Sequence, residues 1–420
     1  MPSSPSSARA LALEVLVDQE RGETYAHDLI ERQAAQHQLA HRDAAMLQTL
    51  VFGVMRNVSL LDSWLDELCD NKRLQTRVHW LLRLGVAQLL ILEMPPHAAV
   101  NETVELADGK ARSLVNAVLR RADREKSALI AWAGKLPLHD RLSHPDWLIE
   151  RWKQQYGSGP AQRLCEWNQD PASTYIRINR LHPEPLTPED TAELGKTAHP
   201  DFFRVEQPPR EWLAQGRCYV QDPSTAAACE LLAPQPGDVV LDACAAPGGK
   251  TAYLAQLMKN RGRIVATDAM PRRIKRMEQN LERLQVKIAE TPAVDWAKAS
   301  AAVFGGLQFD RILVDAPCSN TGVMRRRVDV RWRLQPWTFA EMTKAQMNIL
   351  STVAPLLKPG GSLVYSTCSL DQEENEQLVA AFLKIHPEFR LQETRATLPW
   401  RDKVDGGFAA LLTKGKPRVS

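Results

Sequence analysis

Beyond Pro234 the chain alternates between short apolar runs and amphipathic stretches, and nothing else in it restricts the possible folds as strongly. The runs in DVVLDACAA, RIVATDAM, FDRILVDAPCS and GGSLVYSTCSL read as buried strands, each passing into a loop at its C-terminal end. Between them, GKTAYLAQLMKN and RRIKRMEQNLERL carry apolar residues at helical spacing. Such alternation implies a parallel sheet with helices on both faces. A doubly wound, Rossmann-like α/β domain is therefore expected over residues 233–420, with its chemistry at the C-terminal ends of the strands.

The preceding residues follow other patterns. From Ser7, which can cap ARALALEVLVDQE, to about Arg124 the period is helical and no strand signal interrupts it, so residues 1–124 are expected to form an all-α domain. Residues 125–232 are rich in Pro and Trp; STYIRINR reads as a strand and RCYVQDPSTAAACELL as strand, turn and helix. A small α+β segment is expected there. The most apolar run, VHWLLRLGVAQLLILEMPP, is broken by Arg83 and Gln88 and stopped by Pro95, which suits a buried helix better than a membrane span. The start, MPSSPSSARALALEVLVDQERG, lacks the basic stretch and long apolar core of a signal peptide.

LDACAAPGGKT lies between a strand and a helix, where a glycine-rich turn brings backbone N–H groups and a helix N-terminus against a ligand. Cys244, Ala245, Ala246, Pro247, Gly248, Gly249 and Lys250 are the candidate cofactor-binding residues. The dinucleotide fingerprint is absent. The phosphate-binding P-loop is matched by Gly249, Lys250 and Thr251, but its first glycine would fall at Cys244. S-adenosyl-L-methionine on a doubly wound sheet is the third class. Asp268 ends the next strand roughly 20 residues on, where a carboxylate can bond both ribose hydroxyls; an N-cap for PRRIKRMEQN is its alternative role.

Seven cysteines without a C-x-x-C pair fit neither a disulfide framework nor a structural zinc site, so reduced cytoplasmic thiols and no metal are expected. Cys318, in ILVDAPCSNTG, and Cys368, in YSTCS, both follow predicted strands. A lone cysteine at such a place is more often a small buried apolar residue than a nucleophile. Two of them with Asp315 at adjoining strand ends can converge on one cleft. MRRRVDVRWR then supplies Arg325, Arg326, Arg327 and Arg331. A charge run is usually a solvated face, but beside such a cleft phosphate contact is an equal expectation. With a net charge of only +3, nucleic-acid binding has to come from local patches of this kind.

DACAAPGGKT, DAPCSNTG and YSTCS, in this order, resemble the RNA 5-methylcytosine methyltransferases of the Sun type. HRDAAMLQTLVFGVMRN and PPHAAVNETVELA resemble a NusB-like RNA-binding domain found in that family, and the resemblance extends over nearly the whole chain. It implies S-adenosyl-L-methionine as cofactor, with Asp295 of AVDWA on the adenine side and Asp315 at the reacting end. It also implies methylation of a cytosine in 16S ribosomal RNA; a monomer away from membranes is expected. Carbon 5 of cytosine is too weak a nucleophile to take a methyl group unaided; a thiolate adding to carbon 6 activates it. By resemblance Cys368 is that nucleophile, Cys318 assists breakdown of the adduct, and Asp315 completes the catalytic set. A transfer-RNA cytosine methyltransferase and a non-catalytic NusB-like RNA-binding factor are the competing readings.

Overall fold

Helices Ala8–Gln19, His41–Arg56 and Thr76–Leu90 pack on one another at the centre of the N-terminal half, in a computed structural model that describes residues 7–20, 22, 24–70 and 73–415. Leu13, Leu16, Leu47, Leu50, Leu82 and Leu84 are fully buried there, which is what the helical spacing of those apolar residues dictates. The long run after Arg42 is two helices, because Asn57 leaves the helical region and its side chain donates back to Gly53 O at 2.9 Å; Val58–Leu68 follows at a bend of 76°. Helices continue past Arg124 as Lys126–Ala133, Asp146–Tyr156 and Ser158–Gln169. The segment expected to be mixed is thus helical as far as Gln169, since Leu148, Ile149, Trp152, Leu164 and Cys165 repeat at helical spacing and are buried.

The chain divides into two compact units: Met1–Pro171 with Met324–Leu334, and Ala172–Val323 with Gln335–Ser420. Val328, from the distant insert, is fully buried within the apolar core of the first unit. No single helix among the described residues is long and apolar enough to cross a membrane.

In the second unit, β1 (Thr174–Ile178), β2 (Gly195–Lys196), β3 (Phe202–Val205) and β4 (Cys218–Val220) form an antiparallel sheet in the order β2-β3-β1-β4. The larger sheet contains β5 (Val239–Asp242), β6 (Arg263–Ala266), β7 (Ala289–Glu290), β8 (Phe309–Asp315), β9 (Leu357–Thr367), β10 (Phe389–Thr397) and β11 (Gly407–Lys414). Their order is β10-β11-β9-β8-β5-β6-β7. From β9 to β7 all neighbours are parallel, as expected, while β11 runs antiparallel to β9 and to β10. The expected parallel sheet is extended at this edge by two strands that the alternation did not announce: β10 and β11 are joined by a short connection, which makes them antiparallel neighbours. Strand order reverses between β5 and β8, so a ligand crevice is expected beyond the C-terminal ends of these two strands.

Candidate active site

The loop after β5 is pinned to the next strand: Thr267 N donates to Asp242 O at 2.8 Å and Ala245 N to Thr267 O at 2.8 Å. Gly248, at φ +96°, turns the chain into helix Gly249–Leu257; a side chain there would be strained by the backbone and would meet Met277 at 3.0 Å. Arg177 of β1 is 1% exposed and lies under this turn, bonded to Gln221 at 2.8 Å and to Gln256 at 2.9 Å, with its guanidinium over Tyr253. In the sequence its segment, STYIRINR, reads only as a strand.

Asp242 is fully buried; its Oδ2 accepts from Thr251 at 2.8 Å and its Oδ1 has no partner. Burial pushes its carboxyl up to about 7, against the Thr251 hydrogen bond, with the charges of Asp315 and Asp268 adding to the rise. Asp268 follows β6 and is 4% exposed. It pairs with Arg273 at 3.0 Å and accepts from Met270 N at 3.1 Å, so the local helix-start role is present at the strand-end position. Asp295 lies just after the segment that bridges to Asp268; it pairs with Lys298 at 3.2 Å, and that bond holds it below the usual carboxylate range. Its neighbour Trp296, which sequence reasoning missed, donates to Ala243 O at 2.7 Å and ties this stretch to the cofactor loop. Cys244 is half-buried, and burial followed by the charges of Asp315, Asp242 and Asp268 pushes its thiol up, away from reactivity.

β8 and β9 are parallel neighbours with Asp315 opposite Ser366, and this register brings the two cysteine loops together. The Sγ atoms of Cys318 and Cys368 are 3.2 Å apart. Asn320, at φ +60°, bridges them: its Nδ2 donates to Cys318 O at 2.7 Å and its Oδ1 accepts from Cys368 Sγ at 3.2 Å. Lys250 Nζ donates to Asp315 Oδ2 at 2.7 Å, and Ser366 Oγ donates to Asp315 Oδ1 at 2.8 Å. Burial alone would lower the Lys250 pKa, but the Asp315 charge and hydrogen bond outweigh it and hold the ammonium above the usual lysine range.

Lys250, Asp315, Ser366 and Cys368 open onto a cavity of about 150 Å³, which Ser224, Thr225, Arg395 and Asp405 also line. Cys318 is buried and does not line it. Its thiol is pushed well above the usual range by the hydrogen bond with Cys368, by burial, and by the charges of Cys368 and Glu374. The glycine-rich turn before β11 completes the wall: Gly406 N donates to Gly322 O at 2.9 Å, and a Cβ on Gly322 would come within 2.5 Å of Gly406 O. Among the described residues no group of three His, Cys, Asp or Glu side chains could hold a metal.

The arginines after the Pro-Cys loop do not act alike. Arg331 is fully buried and donates to Ser143 O and Asn168 O, each at 3.1 Å; burial, then the charge of Arg56, lowers its pKa to about 9. Arg325 donates to Pro171 O at 2.6 Å and stacks 4.0 Å over Trp167. The expectation of phosphate contact is therefore corrected for Arg331 and Arg325, whose guanidinium groups are consumed by carbonyls of the helical unit. Arg326 and Arg327 instead line a cavity of about 290 Å³ in that unit, together with Tyr25, His27 and Phe52.

Comparison with known proteins agrees with this anatomy. Residues 229–413 match the family model for the 16S rRNA methyltransferase RsmB/F, residues 6–124 the NusB family, and residues 144–187 the ferredoxin-like domain of RsmF/B-like methyltransferases. The ribosomal RNA small subunit methyltransferase B of Vibrio cholerae is 38% identical over 405 residues, covering 91% of this chain and 92% of that protein. The probable ribosomal RNA small subunit methyltransferase B of Bacillus subtilis is 34% identical over 408 residues, covering 91% and 90%. Among solved structures, PH0851 matches with a TM-score of 0.78 and 26% identity over 99% of this chain and 100% of that one. A methyltransferase homologue from Pyrococcus horikoshii matches with a TM-score of 0.57 and 28% identity over 66% and 97%. With a relative 38% identical over nine-tenths of both chains, and matches to the RsmB/F methyltransferase and NusB models, this chain belongs to the RsmB/F family of 16S rRNA methyltransferases.

Proposed function

We propose that this protein transfers a methyl group from S-adenosyl-L-methionine to carbon 5 of a cytosine in 16S ribosomal RNA, through a covalent bond between Cys368 and carbon 6. The observation that carries the reading is that Cys368 and the Lys250–Asp315 pair open onto one cavity, with Cys318 just behind at 3.2 Å. The residues fit the cofactor: in the turn at 245–249 the N–H groups of Ala246 and Gly249 can be presented to it, those of Ala245 and Gly248 being bonded within the loop, Asp242 Oδ1 is a buried acceptor without a partner, and Asp268, just after β6, is the candidate for the ribose hydroxyls. Asp295 is the candidate on the adenine side. When bound, S-adenosyl-L-methionine supplies an electrophilic methyl group on a sulfonium.

The target base has to leave its stack to enter such a cavity. There Asp315 can accept from the ring's amino group while the Lys250 ammonium supports the charge that develops at nitrogen 3. The Cys368 thiolate adds to carbon 6, which leaves the electron pair of the 5,6 double bond at carbon 5; with the cofactor bound, that carbon would take the methyl group as the methyl–sulfonium bond breaks and the thioether leaves. Once Cys368 is bonded to the ring, two of the influences that raise the Cys318 thiol are gone, and its proton can pass to solvent. The Cys318 sulfur then takes the proton from carbon 5 as the carbon 6–sulfur bond breaks and Cys368 leaves as thiolate. Arg326 and Arg327, with Tyr25 beside them, are the proposed contacts to RNA outside the target base. Residues 1–124 are the proposed RNA-binding helical domain and residues 233–420 the proposed catalytic domain, while the expected connecting segment 125–232 is shared between the two compact units.

The test is bisulfite mapping of ribosomal and transfer RNA after reaction with the wild-type protein, together with denaturing gels of labelled RNA. One methylated cytosine in 16S RNA is expected, with neither methylation nor adduct from Cys368→Ala, and a persistent adduct from Cys318→Ala. Methylation confined to transfer RNA would reassign the substrate. RNA binding with no methyl transfer would favour a non-catalytic RNA-binding factor. An adduct from Cys368→Ala but not from Cys318→Ala would exchange the two roles.

A further inference from the structure

A buried carboxylate ties the two cysteine loops to each other. Glu374 has no exposed surface. Its Oε1 accepts from the Ser319 backbone N–H at 2.9 Å and from Gln346 Nε2 at 2.8 Å, and its Oε2 accepts from the hydroxyls of Ser319 and Ser369. Ser319 directly follows Cys318 and Ser369 directly follows Cys368, so one side chain grips both loops beside their sulfurs. Gln346, from helix Thr338–Val353, also donates to Pro317 O at 2.9 Å and so fixes the residue before Cys318. Thr321 makes a second tie through Asp371 at 2.8 Å. Burying a carboxylate among neutral donors is costly, and an apolar side chain would serve packing alone better.

We propose that Glu374 is a positioning residue of the methyl-transfer reaction, holding Cys318 within reach of Cys368 so that Cys318 can assist release of the methylated base. The proposal rests on the cysteine mechanism above and adds to it a residue that touches neither RNA nor cofactor. The electrostatics agree with the geometry, since Glu374 is among the charges that push the Cys318 thiol up, after Cys368 and burial. The other titratable groups facing this cluster are Cys368, Asp371, Asp315 with its partner Lys250, and Tyr365, whose hydroxyl donates to Glu374 O at 2.7 Å. Replacing the carboxylate by an amide puts a donor against donors that now share one acceptor side, which loosens the grip without changing side-chain volume.

The experiment follows adduct formation and decay on labelled 16S RNA with the full-length wild type, Glu374→Gln, Ser319→Ala, Cys318→Ala and the Glu374→Gln/Cys318→Ala double variant. Expected are normal S-adenosyl-L-methionine affinity and adduct formation for Glu374→Gln, an adduct lifetime roughly tenfold longer than wild type, and a double variant no slower than Cys318→Ala. Ser319→Ala, which removes one hydroxyl donor and is the smaller perturbation, should lengthen the lifetime by about threefold. In a Cys368→Ala background, alkylation of Cys318 followed by peptide mass spectrometry should move to lower pH when Glu374→Gln is added. That shift reports the lost charge, whereas a longer adduct lifetime at unchanged cofactor affinity and adduct formation is what a purely structural role would not produce. Wild-type release by both Glu374→Gln and Ser319→Ala overturns the proposal while leaving the cysteine mechanism intact, as does a folded Glu374→Gln that forms no adduct. Absence of an adduct from Cys318→Ala overturns the cysteine mechanism, and the proposal with it.

Discussion

Cys318 and Cys368 show how far residue chemistry depends on surroundings that a motif does not print. Their sulfurs are 3.2 Å apart, yet one is buried and the other lines the cavity. Asp242 makes the same point for a carboxylate: buried with one oxygen unpartnered, it is pushed up to about 7, whereas in an unfolded chain it titrates near 3.8. Because the folded state holds the proton more tightly, the stability tied to this group is fully present below pH 3.8 and is lost as the pH rises through about 7. Between those values wild-type stability should fall, relative to Asp242→Asn, by about 1.4 kcal/mol per pH unit. Urea unfolding of both proteins at pH 5, 6, 7 and 8 measures the difference, in which every other titration common to the two cancels. A difference that does not change with pH would show that Asp242 stays charged in the fold.

At the scale of elements, the insert 324–334 is the part that composition described least well. MRRRVDVRWR reads as a basic surface strip, but Arg331 is spent on two backbone carbonyls in the helical unit and Arg325 on another. Asp329 accepts from Ala26 N at 2.9 Å and pairs with Arg333 at 3.0 Å, anchoring the insert further. Arg331→Met should therefore destabilise the first unit by about 3 kcal/mol, because it leaves buried carbonyls unsatisfied. Arg327→Ala, at an exposed side chain, should affect thermal unfolding far less than Arg331→Met and weaken RNA binding with a shallower salt dependence. Unfolding curves and fluorescence anisotropy at two salt concentrations separate these outcomes. Equal effects from both substitutions would mean the insert does not divide in this way.

At the scale of the whole molecule, the compact units do not follow the order of the chain, since Met324–Leu334 belongs with Met1–Pro171. A protein beginning at Ala172 would keep the cofactor loop but strip the insert of its packing, exposing Val328 and Arg331, both fully buried in the intact chain. Such a truncation should lose more than RNA affinity: lower solubility and a lower melting temperature are expected, with S-adenosyl-L-methionine binding measured by calorimetry retained. Restoration of solubility by Val328→Ser in the truncated protein would confirm the cause. The sequence by itself determined the helical first half, the alternation of β5 to β9 with helices, the cofactor turn at 245–249 and the strand-end placement of Asp315, Cys318 and Cys368. These are local patterns of period and turn chemistry, and short-range sterics dictate them. Only the tertiary structure decided the antiparallel edge of β10 and β11, Arg177 beneath the loop, the Glu374 grip and the burial of Arg331. Arg177 meets Gln221 and Gln256 44 and 79 residues away, Glu374 meets Ser319 55 away and Arg331 meets Ser143 188 away, while the edge is set by β11 pairing with both β9 and β10; no local periodicity carries information about such partners.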